Sequence, residues 1–253
     1  MKKALTIAGF DPSGGAGLQA DLKVFHNLGV YGLSVASSLT AQNSQGVKDI
    51  MPVRSLFVRR QLTVLLSDIT PDATKTGMLY SEENVEIVSH VIRKYSLKNL
   101  VVDPVILSST GRVLAQKGVP AAIRKRLLPV CATVTPNIHE ASVLTGMDIK
   151  TRRDMEEAAL RLRDDGAEHV IITGGHLEKI ALDVVCDGGF HYLESKKVCG
   201  EFHGTGCIFS SAITALLAEG YTILDAAKRA KKFINRSFRK SFATGKGMRL
   251  FNL

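Results

Sequence analysis

The sequence predicts an α/β protein with a largely parallel central sheet covered by helices on both faces. Three observations predict it. Short β-rich apolar runs alternate with helical patterns almost to the end of the chain, as repeated βα units do. The runs are apolar at successive positions, as strands buried on both faces must be. Polar and glycine residues gather just after the runs, where an open parallel sheet places its ligands.

The elements follow in order. Ala4 to Ala8 reads as a buried strand, closed by Gly9 and the turn residues Asp11, Pro12, Ser13, Gly14 and Gly15. Gly17 to Leu28 is helical, with Leu18, Leu22, Phe25 and Leu28 on one face. Leu33 to Leu39 is a second strand, Ser55 to Ser67 a helix, and Asp72 to Thr76 a short strand. Asn84 to Tyr95 is an amphipathic helix that leads to the strand Asn99 to Asp103. Ala132 to Thr135 is a strand stopped by Pro136, and Arg153 to Asp165 a helix closed by Gly166. His169 to Thr173 is a strand that ends in Gly174-Gly175, and Asp187-Gly188-Gly189 joins two short segments as a hairpin. Two helices follow, Thr205 to Ala218 and Ile223 to Phe242. No repeat, low-complexity tract or linker divides the chain, so residues 1–253 are expected to form one domain.

Composition narrows the class. The 253 residues are 45% hydrophobic and 23% charged with 7 prolines, which excludes disorder. A chain of this length buries roughly 70–75% of its unfolded surface, so it needs no metal or disulfide for stability. The 33 basic and 24 acidic residues give +9, which permits nucleic acid, an anionic membrane or a phosphorylated small molecule as partner. None of the cysteines (131, 186, 199, 207) forms a C-x-x-C pair, and Met1-Lys2-Lys3 leads into a strand rather than a signal-peptide core. No apolar run reaches the ~18–20 residues that span a bilayer. A cytoplasmic location is expected, with no membrane partner.

Several motifs carry chemistry. Gly15-Ala16-Gly17-Leu18-Gln19-Ala20 matches the dinucleotide fingerprint, but Ser37-Ser38-Leu39-Thr40 stands where the ribose-binding acid belongs, which rejects a nicotinamide or flavin site. No P-loop occurs. His203-Gly204-Thr205-Gly206-Cys207 opens an apolar helix, whose free amides and dipole would stabilise a phosphoryl group. The same field is expected to lower the Cys207 thiol pKa and make it a base toward a substrate hydroxyl. An equally good reading makes Cys207 a small buried hydrophobe. Cys199, His203 and Cys207, with Cys186 or His191, offer a rival zinc site at spacings unlike common zinc modules. Asn137 and Glu140, three apart, suit a carboxylate holding hydrated Mg2+, and suit a helix capping box equally well. Lys228, Arg229, Lys231, Lys232, Arg236, Arg239 and Lys240 read as a solvated face of the last helix, with no aromatic platform for nucleic acid.

Taken together, these stretches resemble the hydroxymethylpyrimidine/phosphomethylpyrimidine kinases of thiamine biosynthesis, in the ribokinase-like superfamily. The resemblance rests on Ala4 to Gly9, Asp11 to Gly17, Gln19 to Lys23, Leu39 to Asn43, Lys75 to Leu79, Val102 to Val105, Val134 to Asn137, Gly174-Gly175-His176 and His203 to Cys207. It implies a ribokinase-like three-layer α/β/α sandwich, ATP as donor, Mg2+ as cofactor, a small-molecule substrate and a homodimer. Gly9, Asp21, Gln42, Met78 and Val105 would surround the pyrimidine. Asp103, Asn137, Thr173, Gly175 and Thr205 would serve the nucleotide, and Glu140 with Asp103 the metal. Gly204, Thr205, Gly206 and Cys207 would form the anion hole and base.

Three departures qualify the resemblance. Phe10 stands where the family usually has Ser or Thr. Thr173 replaces the usual lysine before Gly-Gly-His, which bears on the second phosphorylation. Lys197 to Phe202 differs from the usual approach to the anion hole. Thr-Gly-Gly with a catalytic cysteine also marks pyridoxal kinases, the nearest alternative. A catalytically inactive ligand-sensing or nucleic-acid-binding relative is the alternative outside enzymes.

Overall fold

The computed structural model describes residues 1–175 and 181–253. Its strands are β1 (Lys3–Phe10), β2 (Tyr31–Asn43), β3 (Gly46–Pro52), β4 (Ala73–Thr76), β5 (Leu100–Val102), β6 (Thr133–Val134), β7 (His169–Gly174), β8 (Ala181–Cys186) and β9 (Phe190–Ser195). These form one sheet in the order β3-β2-β1-β4-β5-β6-β7-β8-β9. The six strands from β2 to β7 in that order are parallel, while β3 and β8 run antiparallel to them and β9 pairs antiparallel with β8 at the edge.

The helices are α1 (Gly17–Asn27), α2 (Ser55–Leu66), α3 (Glu82–Lys94), α4 (Val119–Ala122), α5 (Ile138–Thr145), α6 (Arg152–Asp164), α7 (Thr205–Ala218) and α8 (Ile223–Arg239). They divide into two layers because the central strands β1, β4, β5 and β6 are buried on both faces. Leu5, Ile7, Leu100, Val102, Val170 and Ile172 meet the layer of α2, α3, α5 and α6. Val101, Ile171 and Val185 point the other way, onto α1, α7 and α8. A sheet covered on both faces by helices is the three-layer α/β/α sandwich that the sequence led us to expect.

The order reverses around β1: α1 carries the chain to β2 on one side, and α2 to β4 on the other. That switch point opens a crevice at the carboxyl ends of the strands. Helix ends are set locally. Ser81, Asn137, Thr151 and Thr222 each accept a backbone N–H as N-caps.

The structure departs from the sequence reading in three places. β3 is an edge strand paired antiparallel to β2, read from the sequence as loop. Residues 119–130 form a continuous helical stretch with a π turn at Ile123–Leu127. The last helix ends at Arg239, and Ser241–Phe242 pairs with Leu250–Phe251.

Candidate active site

The carboxyl ends of β1, β4, β5, β6 and β7 border a cleft of about 1000 Å3. It lies at the upper end of the size expected for a ligand pocket. The loop after β1, the helix α7 and the turns after β4, β5 and β6 all reach it.

The N-terminus of α7 is one wall. Gly204 caps it in the left-handed conformation, φ +84°, and Thr205, Gly206 and Cys207 line the cleft as the first helical residues. Their N–H groups have no carbonyl one turn back to receive them, so they are free for an anion and add the helix dipole to it. The structure therefore brings the four predicted anion-hole residues together. The expected acidic thiol is overturned: burial pushes Cys207 up to about 12, and the carboxylates of Asp103 and Asp21 add to the rise. Lys75 and the Gly17 N–H work in the opposite direction but do not prevail. The dipole argument from sequence omitted these two carboxylates, which arrive from distant parts of the chain.

Asp11 anchors the loop after β1 against this wall. It accepts from the N–H groups of Ser13, Gly15 and Ala16, from the Ser13 hydroxyl, and from His203 Nε2 at 2.8 Å. Burial works against the charge, but hydrogen bonds from His203 and Ser13 hold Asp11 down to about 2. Because this pKa lies below the ordinary 3.8, the stability it contributes is complete above that value and is lost as pH falls toward 2. Asp11→Ala is expected to destabilise the protein by about 2–4 kcal/mol near neutral pH, read by urea denaturation, because it strands buried donors. A loss under about 0.5 kcal/mol would mean the loop is held otherwise.

Two carboxylates stand after β5 and β6. Asp103 accepts from Ser210 Oγ at 2.8 Å and lies 3.6 Å from Lys75 Nζ. Burial holds it above its ordinary value despite Lys75. Glu140 is 6% exposed and closes a capping box with Asn137: Asn137 N–H donates to Glu140 Oε2, and Glu140 N–H to Asn137 Oδ1. The structure thus realises the capping reading, and it also leaves Glu140 and Asn137 on the cleft. Burial, then the charge of Asp103, pushes Glu140 up to about 8. Two acids on one cleft, with the charge of Asp103 raising Glu140, make a donor set that fits a hydrated divalent cation. Mg2+ there would neutralise charge on phosphate oxygens.

This predicts a pH signature. Glu140 binds its proton more tightly folded than unfolded, so its contribution to stability is full below about pH 4.5 and falls as pH rises through 8. If Glu140 holds Mg2+, millimolar Mg2+ would replace that proton and raise the melting temperature more at pH 8 and above than at pH 6. An equal shift at both, or the same slope in Glu140→Gln, would remove Glu140 from the metal site.

The rival zinc reading fails. Among the described residues no three His, Cys, Asp or Glu side chains gather as metal ligands. Cys186 is buried in β8, Cys199 is exposed, and His203 is committed to Asp11.

At the β1–β4 end, Gly9, Gln42, Met78 and Val105 line the cleft, and so does Phe10. Asp21 does not line it and is fully buried on α1. It accepts from Lys75 Nζ, Thr6 Oγ1 and Ser211 Oγ, so it cannot touch a ring. At the β7 end, Thr173 and Gly175 reach the cleft, and Thr173 N–H donates to Pro136 O. His176 lies outside the described residues.

Sequence reasoning missed several residues here. Lys231 does not sit on a solvated face: its Nζ meets Asp183 Oδ2 at 2.7 Å, and it lines the cleft with Asn235 and Phe238. Ser108 to Gly111 also lines the cleft, and Arg112 ties that turn to the carbonyls of Val47 and Lys48. Lys75 opens one of the stretches that carry the resemblance, but the sequence reading gives it no role. A lysine inside a strand that should be buried on both faces is the signal that could have found it, because such a charge must be paired.

Comparison with known proteins shows what the chain is similar to. The family model described as phosphomethylpyrimidine kinase matches residues 11–252. The thiamine biosynthesis bifunctional protein ThiED of Geobacter sulfurreducens is 43% identical over 246 residues, 96% of this chain and 50% of that protein. This chain therefore spans half the length of that relative. The hydroxymethylpyrimidine/phosphomethylpyrimidine kinase of Bacillus subtilis is 38% identical over 253 residues, with 97% of this chain and 92% of the relative covered. A solved ADP complex of pyridoxal kinase from Bacillus subtilis superposes with a TM-score of 0.91 at 39% identity, covering 99% of this chain and 96% of that one. The ribokinase-like sandwich expected from the sequence is the fold these relatives share. With a match that runs from residue 11 to residue 252, the chain belongs to the phosphomethylpyrimidine kinase family.

Proposed function

We propose that the protein transfers the γ-phosphoryl group of ATP to the hydroxyl of 4-amino-5-hydroxymethyl-2-methylpyrimidine, and then phosphorylates the monophosphate to the diphosphate. One observation carries this reading: the free amides of Thr205, Gly206 and Cys207 face the same cleft as Asp103 and Glu140. Phosphoryl transfer asks little covalent chemistry of a protein and much positioning and charge stabilisation. Gln42 would donate to a ring nitrogen and accept from the amino group, with Met78 and Val105 against the ring face. The amides of α7 would hold the transferring phosphoryl oxygens. Cys207 would take the proton of the attacking hydroxyl. Asn137, Thr173, Gly175 and Thr205 would bind the nucleotide, and Asp103 with Glu140 would hold Mg2+.

A second reading has its own support. Thr173 stands where a lysine would neutralise phosphate charge, and the pyridoxal kinase of Bacillus subtilis superposes over nearly the whole chain. Pyridoxal offers another hydroxymethylated ring to the same amides. ADP release with Mg-ATP and each acceptor in turn separates the two. Turnover on both pyrimidines supports the two-step kinase, and turnover on the alcohol alone implicates Thr173. Preference for pyridoxal overturns the substrate assignment.

The homodimer is likewise a proposal. Met51 on the edge strand β3 and Leu56, Phe57 and Val64 on α2 are exposed apolar side chains close in sequence. A monomer mass by light scattering would contradict it. No described helix is long and apolar enough to cross a membrane, and we place the protein in the cytoplasm.

A further inference from the structure

Beneath Cys207 lies a charged cluster in which Lys75 is the cation. Lys75 is in the interior of β4, at the centre of the sheet, and its side chain is fully buried. Its Nζ donates to both oxygens of Asp21, at 3.0 and 3.1 Å, and stands 3.6 Å from Asp103 Oδ2. Asp21 is saturated from two further elements: Thr6 Oγ1 on β1 donates at 2.6 Å and Ser211 Oγ on α7 at 2.5 Å. Asp103 is held by Ser210 Oγ. Ser210 and Ser211 follow Cys207 by three and four residues, one helical turn. The cluster therefore fixes the register of the helix whose first turn carries the amides and the thiol.

Two features separate this cluster from an ordinary buried ion pair. It is unbalanced, with one ammonium for two carboxylates, although a buried pair is tolerable only when charge is matched. It also borders the cleft and the start of α7: a Cβ on Gly77, which lines the cleft, would sit 3.4 Å from Nζ, and Ser211, which shares Asp21 with Lys75, lies one helical turn from Cys207.

We propose that Lys75 is the positioning residue of the reaction, a fixed cation whose field sustains negative charge on the Cys207 sulfur while Asp21 holds it in place. This rests on the kinase reading above and deepens it. In the transfer, the acceptor hydroxyl gives its proton to the sulfur as the new O–P bond forms. The P–O bond to the leaving ADP breaks at the same time. The sulfur is an anion before that step and a thiol after it, and its original proton has gone to solvent. Lys75 never touches the reacting atoms. Burial and the two neighbouring acids oppose the anion, so without Lys75 only the Gly17 N–H and the helix dipole would be left to favour it.

The test reads the sulfur directly and needs neither nucleotide nor acceptor, so its failure is distinct from failure of the substrate assignment. In a Cys199→Ser background, in metal-free buffer near neutral pH, Cys207 is alkylated with iodoacetamide and followed by peptide mass spectrometry. Cys131 and Cys186 are buried and report unfolding. Lys75→Met should slow alkylation of Cys207 at least ~10-fold while Cys131 and Cys186 stay silent. Asp21→Asn should speed it several-fold, since it frees the ammonium from one acid. A merely structural role would expose all three cysteines together. If Lys75→Met unfolds, the double variant Asp21→Asn/Lys75→Met removes an opposite-charge pair and decides the matter. Alkylation at least ~10-fold slower than in Asp21→Asn supports the proposal, and an equal rate overturns it.

Discussion

Cys207→Ala is expected to lower turnover at least ~10²-fold while the protein folds as before, the loss typical of removing a general base. The geometry explains why alanine should be structurally quiet. Cys207 sits in the first turn of α7 with part of its surface open to the cleft, and alanine would release one backbone donor, the Gly17 N–H, from its sulfur. Its chemistry is less quiet. With the thiol pushed up to about 12, the sulfur is almost wholly protonated at neutral pH in the empty site. A base that works as the anion then gains with rising pH, so kcat/KM should climb between about pH 7 and 9 rather than level off, and the variant should lose that slope. Near-normal turnover in a folded Cys207→Ala protein would take the thiol out of the mechanism and leave the amides to act alone.

Gly204→Ala should be comparably severe, for a backbone reason. Gly204 adopts φ +84°, and a Cβ there would sit 1.9 Å from the Gly15 carbonyl oxygen and 3.2 Å from Ala16 Cα. Neither neighbour is a side chain that can rotate away. The helix start must move off the Asp11 loop, and the amides of Thr205, Gly206 and Cys207 move with it. Loss of one such donor typically costs ~10²–10³ in rate, so turnover should fall by at least ~10². Strain at the left-handed position adds about 1–3 kcal/mol of destabilisation. Gly189→Ala, in the turn between β8 and β9 with open space around it, is the matched control and should change neither. Steady-state kinetics and thermal melts of the two variants check both expectations, and normal turnover in Gly204→Ala would mean the anion site lies elsewhere.

The parallel core of the fold was legible because β1, β5 and β7 are short apolar runs and α3, α5, α6 and α8 begin at caps. Thr205 to Ala218 shows the same legibility without a side-chain cap, since glycine precedes it and from Cys207 on it is apolar but for Ser210, Ser211 and Thr214. β3 was not legible: Lys48 and Asp49 make Gly46–Pro52 polar, as befits an edge strand that pairs on one side only. The anion hole was legible as a local run, His203 to Cys207. What could not be read locally was its surroundings. Asp21 reaches Lys75 across 54 residues and Ser211 across 190, and His203 reaches Asp11 across 192. Those contacts turn Asp21 from a ring contact into the anchor of a buried lysine, and Cys207 from an acidic thiol into a reluctant one. A helix dipole gives the sign of one field, and the thiol answers to the sum of several.

The most direct test of the kinase reading is a phosphorus NMR time course with Mg-ATP and the hydroxymethylpyrimidine. The expected record shows ADP forming with a pyrimidine monophosphate that accumulates, then declines as the diphosphate appears. If no phosphorus reaches the pyrimidine while pyridoxal, in a parallel tube, becomes its phosphate, the pyrimidine assignment is wrong, and the cleft serves the other ring.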